Sequence, residues 1–114
     1  MMIFGGIPSD QEWRMIYKDI TQLLKQYDKL SDIERSHIDC ALECVEKNKE
    51  IAHYIIIERF LKGVKKKSYL QLAFELYYDD SNVRKIRNAG YRFFAKEYKG
   101  GELIDRCLNK RDET

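Results

Sequence analysis

Along the chain, apolar residues return at steps of three and four, separated by short polar stretches. Trp13, Ile16, Tyr17, Ile20, Leu23, Leu24 and Tyr27 form the first stripe, which is the period of one face of a helix. In "SDQE" before it, Ser9 and Glu12 are spaced so that each side chain caps the other's backbone N–H, and a helix is expected to begin at Ser9. "SDIE", Ser31 to Glu34, has the same form and opens a second helix with Ile38, Ala41, Leu42 and Val45 inward. "EKNKE", 46–50, reads as a polar turn. From about Glu50 to Lys62 comes a helix that is apolar nearly all round, through Ile51, Ala52, Tyr54, Ile55, Ile57, Phe60 and Leu61. So little polar face predicts a place at the centre of the domain, with Gly63 ending the helix in the left-handed conformation.

"VKKKS", 64–68, is then a basic loop, and Ser68 is the expected cap of a fourth helix. A fifth follows "DDS", within which Asp79, Asp80 and Ser81 are each able to cap. Gly100 and Gly101 mark a stop, and "ELIDRCLNK" adds one or two helical turns before a charged, frayed end. Residues 1–8 form a short apolar leader, loosened by Gly5 and Gly6. The expected fold is all-α, a small bundle of about five helices in one domain. Residues 9–48 form an N-terminal helical hairpin, 49–97 a helix-turn-helix unit and 98–114 a C-terminal tail.

Composition narrows the picture. The longest apolar run, Tyr54 to Ile57, is far too short for a membrane span, and the N-terminus lacks the sections of a secretory signal. No membrane contact is expected, and the expected location is cytoplasmic. Three cysteines, Cys40, Cys44 and Cys107, fit reduced thiols better than a disulfide framework. His37, Cys40 and Cys44 share a helix face, but structural zinc sites want four ligands, usually on short loops. The face is read as packing, with no metal and no cofactor. No nucleophile–base constellation and no glycine-rich phosphate loop is present, so no enzyme is expected.

The net charge of +2 conceals an asymmetry, because residues 1–50 hold 7 basic and 10 acidic side chains while 51–114 hold 14 and 9. Within 62–99 the balance is 10 against 4. A cationic half is what a polyanion-binding surface needs, since each neutralised phosphate releases counterions.

The spacing around residues 69–90 is that of a DNA-binding helix-turn-helix. Ala73 supplies the small residue that lets two helices approach; Val83 follows ten residues later and Ile86 three after that, with Leu72 and Leu76 also inward. Tyr77 stands where glycine is commonest. A tyrosine is strained there in the left-handed region, so Tyr78 or Asp79 is expected to absorb the reversal. With Val83, Ile86, Ala89, Gly90 and Phe93 inward, the second helix turns Ser81, Asn82, Arg84, Lys85, Arg87, Asn88 and Arg92 outward. Arginine pairs bidentately with guanine and asparagine with adenine in the major groove. Lys65, Lys66 and Lys67 in the preceding loop complete the candidate double-stranded DNA contacts.

"ERFLKG", 58–63, followed by "SYLQLAFELYYDDSNVRKIRNAGYRFFA", 68–95, resembles region 4 of bacterial sigma factors. Val83, Arg84, Ile86 and Gly90 fall on that region's second-helix pattern, with glycine at Gly90 in place of the usual alanine. The "YY" and "RKIRNAGYRFFA" segments look more like the ArpU and RinA group of phage transcriptional regulators. The resemblance covers roughly residues 49–97 and implies a prophage-type regulator of late genes. Asp80, Ser81, Asn82, Arg84 and Lys85 would then hold the groove-reading positions. A rival reading is a sigma-like adaptor or inhibitor that grips RNA polymerase or a host regulator, since fold alone does not settle function. Part of the Trp13–Tyr27 stripe is also a candidate homodimer seam.

Overall fold

The computed structural model describes residues 7–112, with side chains described through Lys110. It contains six α-helices and, among the described residues, no strand: α1 Asp10–Lys25, α2 Asp32–Asn48, α3 Glu50–Phe60, α4 Tyr69–Leu76, α5 Asp80–Glu97 and α6 Glu102–Asp112. The all-α bundle is as expected, with one helix more than the sequence pattern suggested. The leader at residues 1–6 and the last two residues lie outside the described residues.

Helix starts follow the local chemistry. Ser9 and Glu12 form the reciprocal cap, with Ser9 N–H donating to Glu12 Oε1 at 2.8 Å and Glu12 N–H to Ser9 Oγ at 3.2 Å. Ser68 and Gln71 build a second reciprocal cap at the start of α4. Such caps are each worth about 1 kcal/mol. At α2 only half of the expected pair forms: Ser31 Oγ accepts from Glu34 N–H, but the Glu34 carboxylate accepts from Lys99 Nζ at 3.4 Å instead. A tertiary ion pair has displaced the local one.

Several boundaries differ from the expectation. Glu46, Lys47 and Asn48 stay helical, and the reversal is compressed into Lys49 (φ −144°, ψ 77°). The Asn48 side-chain amide donates to the Cys44 carbonyl at 2.8 Å and so closes the last turn of α2. α3 ends at Phe60, earlier than Gly63, which does take φ +57° but serves the 3-10 turn Gly63–Lys65. The expected tail contains α6, whose Leu103 and Cys107 are buried in the core with α1 and α5.

The reversal between α4 and α5 sits on Tyr77 itself, with φ 60° and ψ 36°, not on Tyr78 or Asp79. Tyr78 N–H donates to the Ala73 carbonyl at 3.0 Å and Tyr77 N–H to the Phe74 carbonyl at 3.4 Å, the paired bonds that satisfy a helix C-terminus through a left-handed residue. For a non-glycine residue that conformation costs roughly 1–2 kcal/mol.

α5, not α3, is the central helix: it packs against all five others. α3 keeps Ala52, Ile55, Ile56 and Phe60 inside but leaves Ile51 and Tyr54 partly exposed. α5 buries Val83, Gly90, Tyr91, Phe94 and Ala95; Ala89 and Phe93, expected inward, are only half-buried. Gly90 lets α3 and α2 approach the α5 backbone, because a Cβ there would meet Ala52 Cβ at 2.5 Å. The α1 stripe of Trp13, Ile16, Ile20 and Leu24 is consumed by this core. Tyr17, Leu23 and Tyr27 of the same stripe stay half-buried.

Candidate nucleic-acid interface

The predicted residues lie on Asp80–Glu97 and in the loop that precedes Tyr69–Leu76. Ala73 lies with Ile55, Leu72 and Val83 in a small buried cluster against which Ile86 and Leu76 pack, so the close approach expected at Ala73 is present. Asp79 is the cap of α5: its Oδ1 accepts from Asn82 N–H at 2.7 Å and from Ser81 Oγ at 3.3 Å. Asp80 instead accepts from Arg84 Nε at 3.1 Å.

The predicted cations divide by what they touch. Lys85, Lys65 and Lys66 are exposed. Arg84 lies over the Tyr69 ring at 4.3 Å while paired with Asp80. Arg87 is folded inward, contrary to its expected outward place: Nη1 donates to Tyr69 Oη at 2.5 Å, and Nε and Nη2 both donate to Asn88 Oδ1. Its guanidinium covers the Tyr91 ring at 4.8 Å. That arrangement occupies the Asn88 oxygen needed for a bidentate adenine contact.

Arg92 points toward α1, donating to Tyr17 Oη at 2.8 Å and covering Trp13 at 4.9 Å. Lys67 is not a free loop cation either, because its Nζ bonds Glu75 at 2.6 Å, Glu58 at 3.3 Å and Tyr54 Oη at 3.2 Å. The hydrogen bond to Glu75 holds the Lys67 ammonium above its ordinary range, and the same bond holds the Glu75 carboxyl down. Tyr54 also donates to Glu75, which pushes its phenol up.

Packing brings in residues that the sequence did not single out. Tyr69 gathers three guanidinium groups, Arg84, Arg59 at 5.1 Å and Arg87 at 5.5 Å. Two open clefts run between α1 and α5. One is lined by Lys85, Asn88, Arg92 and Lys96 together with Arg14 and Lys49, and the other by Arg87 and Asn88 with Arg14 and Lys18. Asp10 is the one carboxylate among the lining residues of either cleft. Arg14, Lys18 and Lys49 belong to the acidic half of the sequence, so regional charge counts hid them. The only local signal of Arg14 and Lys18 is a place on the polar side of a predicted helix, and that of Lys49 a place in a predicted polar turn.

Beneath the clefts Tyr91 is buried, with its hydroxyl paired to Thr21 Oγ1 at 2.9 Å. Burial pushes its phenol up to about 12. No group of three or more His, Cys, Asp or Glu side chains among the described residues is arranged to hold a metal ion. No helix among them is long and apolar enough to cross a membrane.

No family model, curated protein or solved structure matches the chain.

Proposed function

We propose that the protein is a sequence-specific, double-stranded-DNA-binding transcription regulator. The observation that carries the reading is the convergence of cations on α5 from three directions. Its own Lys85 and Lys96 share one cleft with Arg14 of α1 and Lys49 at the α2–α3 junction, and its Arg87 shares the other with Arg14 and Lys18, with a single lining carboxylate, Asp10. A duplex presents the matching array of phosphates. On this reading the exposed start of α5, Ser81 and Lys85, meets base edges, and Asn82 borders them half-buried. Lys65, Lys66, Arg14, Lys18, Lys49 and Lys96 hold the backbone, which fixes register without reading sequence. Arg87 and Lys67 are held within the protein by Tyr69 and Glu75, while Arg92, exposed at the cleft, bonds Tyr17. The resemblance to the ArpU and RinA group extends the proposal to a prophage-type regulator of late genes that works in the cytoplasm beside RNA polymerase. No catalytic step is part of it.

Fluorescence anisotropy with duplex fragments across a salt series tests the reading. About five phosphate contacts give a log–log slope near −4 to −5. Lys85→Ala should lower affinity for the selected site more than for scrambled DNA, by about 1–3 kcal/mol of discrimination. Arg14→Gln and Lys49→Gln should weaken both equally and flatten the slope by roughly one each. Absence of duplex binding at low salt would overturn the proposal and leave the adaptor on a protein partner.

A further inference from the structure

Tyr69 is the first residue of α4 after its Ser68 cap, and three guanidinium groups close on its ring: Arg84 at 4.3 Å, Arg59 at 5.1 Å and Arg87 at 5.5 Å. Like charges gathered so closely repel, and proteins ordinarily answer them with carboxylates. Here the answer is incomplete. Asp80 pairs with Arg84, but Arg87 has only the neutral partners Tyr69 and Asn88. Arg59 makes neither a hydrogen bond nor an ion pair among the described residues, although its Nε is buried. The adjacent carboxylate of Glu58 is taken by Lys62 and Lys67. Tyr69 Oη accepts from Arg87 at 2.5 Å, yet its own hydrogen is donated to no described residue. A buried donor without a partner calls for an acceptor, and such groups in folded proteins mark ions or water. Burial pushes the buried Tyr91 phenol up, and Arg87 and Arg59 both oppose that push; the two guanidiniums thus face a common spot from α5 and α3.

We propose that Arg59, Arg84, Arg87 and the Tyr69 hydroxyl form a site for inorganic phosphate or a small phosphate monoester, seated at the hydroxyl edge of the Tyr69 ring. Phosphate oxygens are strong acceptors, which suits a cluster made of donors, and the planar guanidinium fork meets two of them at once. Charge selects the monoester. Three guanidiniums against the single carboxylate of Asp80 leave an excess of two positive charges. A phosphate monoester carries about −1.5 to −2 at neutral pH and balances that excess. A nucleic-acid backbone phosphate carries one negative charge and leaves half of it unanswered. The site also differs from the duplex contacts in place, since none of Arg59, Tyr69 and Arg84 lines the clefts along α5. It therefore does not depend on the DNA reading. A bound phosphate ties the end of α3 and the start of α4 to α5, three elements that already meet at Ile55, Leu72, Ala73 and Val83.

Isothermal titration of the full chain in a chloride buffer of fixed ionic strength should show saturable binding of inorganic phosphate. Dimethyl phosphate, a diester, should bind roughly tenfold more weakly for the charge it lacks. Glycerol 3-phosphate separates the two sources: tighter binding than inorganic phosphate identifies an ester as the ligand, and weaker binding identifies free phosphate. Arg59→Gln should weaken phosphate binding about tenfold or more, the loss of one hydrogen bond between charged groups. Its melting temperature in chloride alone should hold, because Arg59 has no acceptor to lose. Arg84→Gln, at an exposed position, should weaken binding in the same way. Asp80→Asn should act in the opposite sense and strengthen binding by releasing Arg84, which a merely structural role for the cluster does not predict. Absence of saturable phosphate binding would overturn the proposal. So would a diester bound as tightly as phosphate, an affinity indifferent to both arginine variants, or weaker binding by Asp80→Asn.

Discussion

Gly90→Ala sets two well-characterised effects against each other. Alanine is the better helix former by about 1 kcal/mol, and on that ground alone α5 would gain stability. The added Cβ, however, would lie 2.5 Å from Ala52 Cβ, 3.2 Å from Val45 Cγ1 and 3.6 Å from Ile56 Cδ1. Val45 and Ile56 can adjust a side chain, but Ala52 Cβ is fixed to the α3 backbone. Carbon atoms pack comfortably at about 3.5–4.0 Å, so relief requires α3 and α5 to part by roughly 1 Å. That motion loosens the layer in which α5 buries Tyr91 and Phe94. Overpacking of this kind costs about 1–3 kcal/mol, and with a rigid clash the upper part of that range applies. The expected net loss is about 1–2 kcal/mol, read as a lowered urea midpoint with unchanged m-value. Ala52→Gly removes the opposing atom. The double variant should recover most of the loss, with a coupling of about 2–3 kcal/mol in the mutant cycle, the size of the clash itself. If Gly90→Ala is neutral or stabilising, or if Ala52→Gly fails to rescue it, the close approach of α3 to α5 is wrong.

Ala73→Leu should overpack the α4–α5 contact and lose about 1–3 kcal/mol together with DNA affinity; an unchanged melting temperature would mean Ala73 is exposed. Tyr77→Gly should stabilise the protein by up to about 1 kcal/mol, because relief of roughly 1–2 kcal/mol of strain exceeds the added chain entropy of glycine, about 0.5–1 kcal/mol. A drop in melting temperature would contradict it. Tyr91 sets an alkaline limit. Its phenol ionises near 10 in the unfolded chain and near 12 in the fold, so between those values the unfolded state releases the proton first and stability falls as pH rises. The loss is on the order of 2–3 kcal/mol, and an ultraviolet titration of Tyr91→Phe beside the parent should lack the highest phenolate step.

The sequence by itself determined what neighbours within a few residues decide. The caps at Ser9 and Ser68, the inward stripe of α1 and the outward start of α5 all rest on spacings of three or four positions. Tertiary structure decided the rest. Arg87 is drawn to Tyr69, eighteen residues away, and Arg92 to Tyr17, seventy-five away; Glu34 leaves its own cap for Lys99. None of those pairings leaves a local period. The placing of α5 at the centre depended on Gly90, whose missing side chain matters only because Ala52 lies opposite it. The local pattern marks α6 only as one or two turns of a tail; that Leu103 and Cys107 join the core follows only from the surface that α1 and α5 offer. Tyr77 shows the opposite case: its local cost was visible, but the helix-end hydrogen bonds from Tyr78 and Tyr77 to Ala73 and Phe74 outweigh it. Periodicity reports which side of a helix avoids water, whereas the partner on that side, and the residues it frees or ties down, follow only from packing.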